Sequence, residues 1–481
     1  MAVSAGKKDL AALGNVAVLG IGGTGMAVAR YLAAKVPGRA SSVTLFGGAA
    51  SRPCERSVEL EALGVRCVLG TDELDGHFDL AVASPGIPPT SPLMASAQAH
   101  ASEVIGEPEF AWRESPERWV GITGTNGKTT TTTLTTAILN AGGLPAEAVG
   151  NIGTIITGEL ASRPDDQWFV AELSSFQLAG AKRLHPRIAC LLNVTPDHVE
   201  WHGSLEAYAA AKENIFRNLQ PGDLAVVSDE DDWCRAVIGR LEARGLRVCR
   251  VDVHAEPAAS CAAFQRAGRL VVRLDGEEHD LVAFSDMVLK GEHNVQNSLA
   301  AASVALELGV PDDVVRSALR SFSPLEHRIE PAGDAAGVHY VNDSKGTNTD
   351  ATVKALTAFE PGTIVVMLGG HDKGTDLGPL SAAVAARCRV AVCYGAAGPR
   401  MAEACQAAGA RTLLVPHMAD AFRTAVAEAR PGETVLLSPA CSSFDEFHNM
   451  EERGETFKRY VRELADKGSL PAASADARVG A

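Results

Sequence analysis

A chain of 481 residues, 46 % hydrophobic and 21 % charged, is a globular protein too long for one ordinary core, so two to four domains are expected. Its formal charge of −15 argues against a nucleic-acid partner, which needs a basic face against phosphate. The ten cysteines include no Cys-x-x-Cys pair, no apolar run reaches bilayer length, and the start "MAVSAGKKDLAAL" has no h-region. Reduced thiols, a cytoplasmic location and no membrane partner are therefore expected.

Apolar β-branched runs alternate with helical patterns along the chain, which predicts an α/β protein with mostly parallel sheets. In a first block, "NVAVLG", "SVTLFG", "VRCVLG", "FDLAVASPG" and "EVIG" read as strands. A second holds "RWVGIT", "WFVAELS", "RIACLLNV" and "DLAVVS", and closes with helices from His293 to Leu308 and Pro311 to Phe322. A third has "VHYVND", "TIVVMLGG", "RVAVCYG", "RTLLVP" and "TVLLSPA". The expected limits are 1–105, 106–323 and 324–466, with 467–481 an aperiodic, disordered tail.

Gly20, Gly22 and Gly25 in "VLGIGGTGMAVARYL" match G-x-G-x-x-G between a strand and a helix. A dinucleotide site also needs an acid at the end of the next strand, and none lies between Val43 and Ser51. Close helix–strand packing or another phosphate-bearing ligand remain as readings. The stretch "GITGTNGKTTTTTLTTAIL" carries more. Gly124, Gly127, Lys128 and Thr129 follow a strand and open a helix, so amides can cradle phosphates, Lys128 can neutralise them and Thr129 can reach magnesium. Ile122 stands where the P-loop pattern has its first glycine, and a glycine-rich turn with a chance lysine is the bland alternative. Glu172 ends an apolar strand, where a buried acid needs a partner. Asp197 and His198 follow another strand, and Lys212 sits on the next helix. Taken singly, each is a capping group or a surface residue.

Asn294 and Asn297 open a helix, where they either cap it or read a base edge. His327 and Arg328 stand at the junction of the second and third blocks. Asp343, Ser344, Lys345 and Thr347 in "VNDSKGTN", Lys373 in "LGGHDKG", and Ser438, Ser442 and Ser443 in "LLSPACSSFDEF" follow predicted strands. Strand ends are where α/β sheets bind ligands, and this cationic, hydroxyl-rich set suits a small carboxylate.

Together these stretches resemble the Mur ligases, the ATP-dependent amino-acid ligases of peptidoglycan precursor synthesis. "GTNGKTT", "HNVQN" and "EHR" are shared across that superfamily, including the folylpolyglutamate synthetases. "AELSSFQL", "NVTPDH", "NDSKGTN" and "SPACSSFDEF" resemble its D-glutamate-adding branch, and the Asn-Pro-Arg expected of the diaminopimelate- or lysine-adding ligases is missing from the region of "NDSKGTN".

The resemblance implies three domains: a Rossmann-like domain for a nucleotide sugar, a central P-loop-type ATPase domain, and a C-terminal Rossmann-like domain that brings the amino acid. It implies ATP and Mg²⁺ as cofactors, UDP-N-acetylmuramoyl-L-alanine and D-glutamate as substrates, and a monomer. ATP would bind along Gly124, Thr125, Asn126, Gly127, Lys128, Thr129 and Thr130, with Asn294 and Asn297 toward adenine and phosphates. His327 and Arg328 would close on it, and Asp343 would take its ribose. Thr129 and Glu172 would hold one Mg²⁺, and His198 and a carbamylated Lys212 a second. The sugar substrate would meet Ser84, Pro85, Gly86 and Asn151, while Lys345, Thr347, Lys373, Ser443 and Phe444 would surround glutamate. Members of the family often carry an acid and a hydroxyl after the second strand to read uracil, whereas this chain has "FGGAAS"; Met450 stands where an aromatic residue is found.

Overall fold

The computed structural model describes residues 12–197, 199–289, 291–322, 328–371, 377–467 and 470. It contains three α/β sheets in two compact units. One unit runs to Met287 and resumes over His293–Phe322; the other takes Val288–Glu292 and the chain from Ser323 onward.

In the first unit the strands Asn15–Leu19, Ser42–Phe46, Arg66–Val68, Leu80–Ala83 and Val104–Gly106 form an all-parallel sheet. Its order is third, second, first, fourth, fifth, so the winding reverses between the first and fourth strands and opens a crevice at their carboxyl ends. The helix Gly23–Ala33 starts at that crevice. A Cβ on Gly25 would collide with the carbonyl oxygen of Gly20, so glycine is what lets this helix sit so close to its strand. Val16, Val18, Leu45 and Val82 pack under Met26 and Leu32.

A nine-stranded sheet follows. Its parallel part includes Trp119–Thr123, Ala146–Gly150, Trp168–Glu172, Ile188–Leu191 and Leu224–Ser228, extended by Arg247–Asp252 and Ala262–Arg266. Two antiparallel strands, Arg269–Leu274 and Glu277–Ala283, finish one edge. The strand Trp119–Thr123 lies between Trp168–Glu172 and Ile188–Leu191, and all three are buried along their length except at Trp168. The two expected helices are present as Glu292–Glu307 and Asp312–Ser321.

Between the two sheets runs the helix Glu107–Glu114, fastened on both sides. Glu107 Oε1 accepts from the amide and the hydroxyl of Thr157, both at 2.7 Å, and the Glu109 carboxylate accepts the backbone N–H groups of Lys182, Arg183 and Leu184. On the first-sheet side Glu114 takes Arg39 and the Tyr31 hydroxyl. Both Glu107 and Glu109 are buried.

The second unit has six strands in the order Glu330–Ala335, Val338–Asn342, Thr434–Ala440, Ile364–Gly369, Cys388–Tyr394, Thr412–Leu414, parallel except for the first. Apolar clusters cover both faces of this sheet, and the helix Met450–Lys467 packs on one side through Phe457 and Val461. The residues expected to form the tail lie outside the described ones from 471 on, while Lys467 is helical. Among the described residues no helix is long and apolar enough to cross a membrane.

Candidate active site

The loop after Trp119–Thr123 is held by the loop after the neighbouring strand, Ile188–Leu191. Thr125 N–H donates to Asn193 O at 2.9 Å, Asn126 N–H to Asn193 Oδ1 at 2.9 Å, and Asn193 Nδ2 returns a bond to Asn126 O. Thr125 Oγ1 meets Thr195 O and the Tyr208 hydroxyl. Gly124 and Gly127 adopt φ of +156° and +80°. Gly127 is the N-cap of the helix Lys128–Ala141, and a Cβ there would run into Asn297 Oδ1. Thr133 and Thr136 return their hydroxyls to carbonyls four residues back, while the hydroxyls of Thr132 and Thr135 are buried with no partner among the described residues. The result is a helix N-terminus with a turn of fixed shape before it, a ready place for an anion.

Lys128 Nζ folds back onto Gly124 O and Thr125 O, both at 2.9 Å. Lys212, from the helix Leu205–Glu213, donates to the same Gly124 O at 2.8 Å. Lys212 is 1 % exposed, and its Nζ stands 4.5 Å from the Tyr208 ring centroid. Burial, reinforced by the charge of Lys128 and opposed by Asp197, pushes its pKa down to about 6. Burial thus favours its neutral amine near pH 7.

Glu172 ends its strand opposite Ile122 on one side and Gly150 on the other, 2 % exposed. Its Oε1 accepts from Asn151 Nδ2 at 2.8 Å, and its backbone carbonyl takes the Asn151 N–H. Its Oε2 is buried with no hydrogen-bond partner among the described residues. A buried carboxylate oxygen left open beside a phosphate-type loop fits a hard cation that keeps part of its water shell. Thr129, 8 % exposed at the start of the helix, is the hydroxyl that would share it. Among the described residues no three His, Cys, Asp or Glu side chains gather as a metal-binding group; His198 lies outside them.

Asn297 is buried against the loop, accepting from Thr131 Oγ1 and donating to Asn294 Oδ1. At least one of these two asparagines therefore shapes the loop. Toward the first sheet, a cavity of about 360 Å³ is lined by Ser84, Pro85, Glu107, Phe176, Gln177 and Trp201. Ser84 Oγ is buried there without a partner among the described residues. Where "FGGAAS" offers no acid, Asp72 arrives from the loop after the third strand and accepts the Ala49 N–H at 2.9 Å.

In the second unit Asp343 is 4 % exposed; Ser438 Oγ donates to one carboxylate oxygen at 2.6 Å and Ile329 N–H to the other at 3.2 Å. Burial raises its pKa to about 6, against the Ser438 bond and the charges of Arg328 and Arg453. Ser443 is buried, Lys345 and Thr347 are half-buried with Thr347 N–H on Lys345 O, and Phe444 is exposed. His327 and Lys373 lie outside the described residues. Asn193, Tyr208, Glu107, Glu109, Asp72 and Arg453 are structural contributors the sequence reading does not single out.

Three family models match in chain order. They are the Mur ligase MurD-like N-terminal domain over residues 14–106, the Mur ligase middle domain over 122–305, and the glutamate ligase domain over 327–441. A UDP-N-acetylmuramoylalanine–D-glutamate ligase of Solibacter usitatus is 40 % identical over 451 residues, 94 % of this chain and 98 % of the relative. One from Koribacter versatilis is 37 % identical over 458 residues, again 94 % and 98 %. Among solved structures, the UDP-N-acetylmuramate–alanine ligase of Thermotoga maritima aligns with a TM-score of 0.55 at 19 % identity, over 95 % of this chain and all of that one. The last is a likeness of fold. The identities over nearly the whole length place the chain in the Mur ligase family, in the branch of the UDP-N-acetylmuramoylalanine–D-glutamate ligases.

Proposed function

We propose that this protein joins D-glutamate to UDP-N-acetylmuramoyl-L-alanine at the expense of ATP, as an enzyme of peptidoglycan precursor synthesis. The observation that carries the phosphoryl-transfer half is the Gly124–Gly127 turn, opening a helix with Lys128 beside a buried Glu172 whose Oε2 has no partner among the described residues. The substrates are those of the relatives' names.

A carboxylate resists attack by an amine because its leaving group would be oxide. Transfer of the γ-phosphoryl group to the alanyl carboxylate gives an acyl phosphate, and the glutamate amine then displaces phosphate. Lys128 exchanges its two loop carbonyls for phosphate oxygens, and the amides at the start of the helix Lys128–Ala141 stabilise the charge that develops there. Glu172 and Thr129 would hold a Mg²⁺ ion, with His198 and Lys212 for a second. When bound, such ions neutralise phosphate charge in the transfer. Lys212 suits that role only as a carbamate: its neutral amine would attack CO₂, a proton would leave to solvent, and the anion would offer oxygens to a hard cation. Asn151 holds Glu172 in place. Asp343 with Arg328 and His327 would complete the ATP site, and Lys345, Thr347, Lys373, Ser443 and Phe444 that of glutamate. We take the domain limits as 1–105, 106–323 and 324–466, and the protein as a cytoplasmic monomer.

The test is product formation by purified protein with ATP, Mg²⁺, UDP-N-acetylmuramoyl-L-alanine and D-glutamate, with each component omitted in turn. One amide and one phosphate should form per turnover only in the full mixture. Phosphate release that is indifferent to both co-substrates would show a nucleotide switch instead. Replacing D- by L-glutamate reads the stereochemistry.

A further inference from the structure

In the second unit, Arg453 is 0 % exposed, on the first turns of the helix Met450–Lys467. A buried guanidinium is normally matched by a carboxylate. Among the described residues every hydrogen bond it makes goes to a neutral oxygen. Nε donates to Ser344 Oγ at 2.9 Å, one terminal nitrogen to Ser344 O at 2.8 Å, and the other to Cys441 O at 3.1 Å. That same nitrogen sits 3.1 Å from where a Cβ on Gly370 would stand. The helix N-terminus adds positive potential to the same place.

The two hydrogen-bonded points belong to the loops at the carboxyl ends of Val338–Asn342 and Thr434–Ala440, and Gly370, in the loop after Ile364–Gly369, lies close beside the guanidinium. The fastening is reciprocal. Ser344 Oγ also donates to Met450 O at 2.8 Å, and His371 N–H bonds Ser442 O at 2.8 Å, joining the second loop to the third. Asp343 feels the Arg453 charge but is already taken by Ser438 and Ile329 N–H. The fork therefore ties two loops, the His371–Ser442 bond adds the third, and among the described residues no carboxylate is hydrogen-bonded to the charge behind them.

We propose that Arg453 is a positioning residue for the incoming amino acid, locking the loops at Ser344 and Cys441 beside Gly370 and drawing a dicarboxylate to them by its buried charge. This rests on the reading that glutamate binds at these strand ends. Sequence reasoning passes over Arg453 because "MEERGETF" looks like an ordinary charged helix start.

Steady-state kinetics of the full-length enzyme test it, with Arg453→Met removing charge and fork at similar bulk and Arg453→Lys keeping the charge alone. Arg453→Met should raise the KM for glutamate by about 10- to 100-fold, the range of a lost charge-assisted hydrogen bond, with the KM values for ATP and the nucleotide sugar nearly unchanged. Its preference for glutamate over glutamine should fall, and Arg453→Lys should recover that preference more than the KM. If Arg453→Met does not fold, as judged by circular dichroism and thermal melting, Arg453→Lys carries the test through its selective rise in glutamate KM. A folded variant with unchanged glutamate KM, or with all three KM values rising together, overturns the proposal. Lys373→Ala separates the two layers. If it raises the glutamate KM while the Arg453 variants do not, only the role of Arg453 falls. If neither does, the glutamate-site reading falls and the proposal with it.

Discussion

Lys128 and Lys212 donate to one oxygen, the carbonyl of Gly124, at 2.9 and 2.8 Å. Two ammonium groups so placed would repel each other, and burial together with the Lys128 charge pushes the Lys212 pKa down to about 6, favouring its neutral amine. Lys128 keeps the charge for phosphate. Lys128→Ala should lower kcat by about 10²–10³-fold, the scale of one lost transition-state donor, and near-normal turnover would sink the loop's assignment.

The neutral Lys212 has a stability signature. Its folded pKa is depressed, so between about pH 6 and the ordinary lysine range the unfolded chain binds the extra proton and stability rises with pH. In CO₂-purged buffer, Lys212→Met should therefore gain most in melting temperature over the parent near pH 6–7, and the difference should shrink toward pH 10. A gap independent of pH would mean the amine is charged in the fold.

With CO₂ present the same residue has a chemical signature. Lys212→Ala should be nearly inactive, and acetate should restore part of the rate by supplying a carboxylate. Carbon NMR with ¹³C-bicarbonate should show a carbamate resonance that the variant lacks. A fully active Lys212→Ala enzyme would refute the carbamate.

Gly127→Ala combines a positive φ with a clash on Asn297 Oδ1, so either the turn or the Asn294–Asn297 pair must move. ATP binding, followed by calorimetry, should weaken by at least about tenfold, roughly the 1–3 kcal/mol held in a strained backbone position. Unchanged affinity would show that the turn adapts freely.

Glu109→Ala would strip three backbone N–H groups of their acceptor at once. A loss of about 2–5 kcal/mol in denaturant unfolding is expected: the buried Leu184 donor costs about 1–3 kcal/mol, and the part-buried donors of Lys182 and Arg183 less, because water reaches them. A loss below about 1 kcal/mol would mean water replaces the carboxylate, the range of an ordinary surface change.

The loop from Gly124 to Thr129 is legible in the sequence because its backbone demands, positive φ at glycines followed at once by a helix, leave few alternatives to those residue types. Glu172 is legible for a related reason, an acid closing an apolar strand. Asn193, Asp72 and Arg453 are not, because their roles come from pairing segments 67, 23 and 109 residues apart, which no local pattern encodes. The antiparallel strands Arg269–Leu274 and Glu277–Ala283 also go unread: "RAGRLVVRLDGEEHD" is charged enough at the sheet edge to pass for a loop. At Asn297 the sequence leaves capping and base reading open, and the contact with Thr131 adds a third role, bracing the phosphate turn.

The doubly fastened helix Glu107–Glu114 has a further consequence. With Glu114 tied to Arg39 and Tyr31 at one end and Glu107 and Glu109 tied to the central sheet at the other, the crevice at Ser84 and the turn at Gly124 stand a set distance apart. The first unit is in effect a ruler. On the proposed placement of the nucleotide sugar at Ser84 and ATP at Gly124, the substrate carboxylate reaches the phosphoryl group only if the spacer has the right length, so analogues shortened or lengthened by one residue should bind yet fail to be phosphorylated. On that placement, selection by length rests on the single helix Glu107–Glu114.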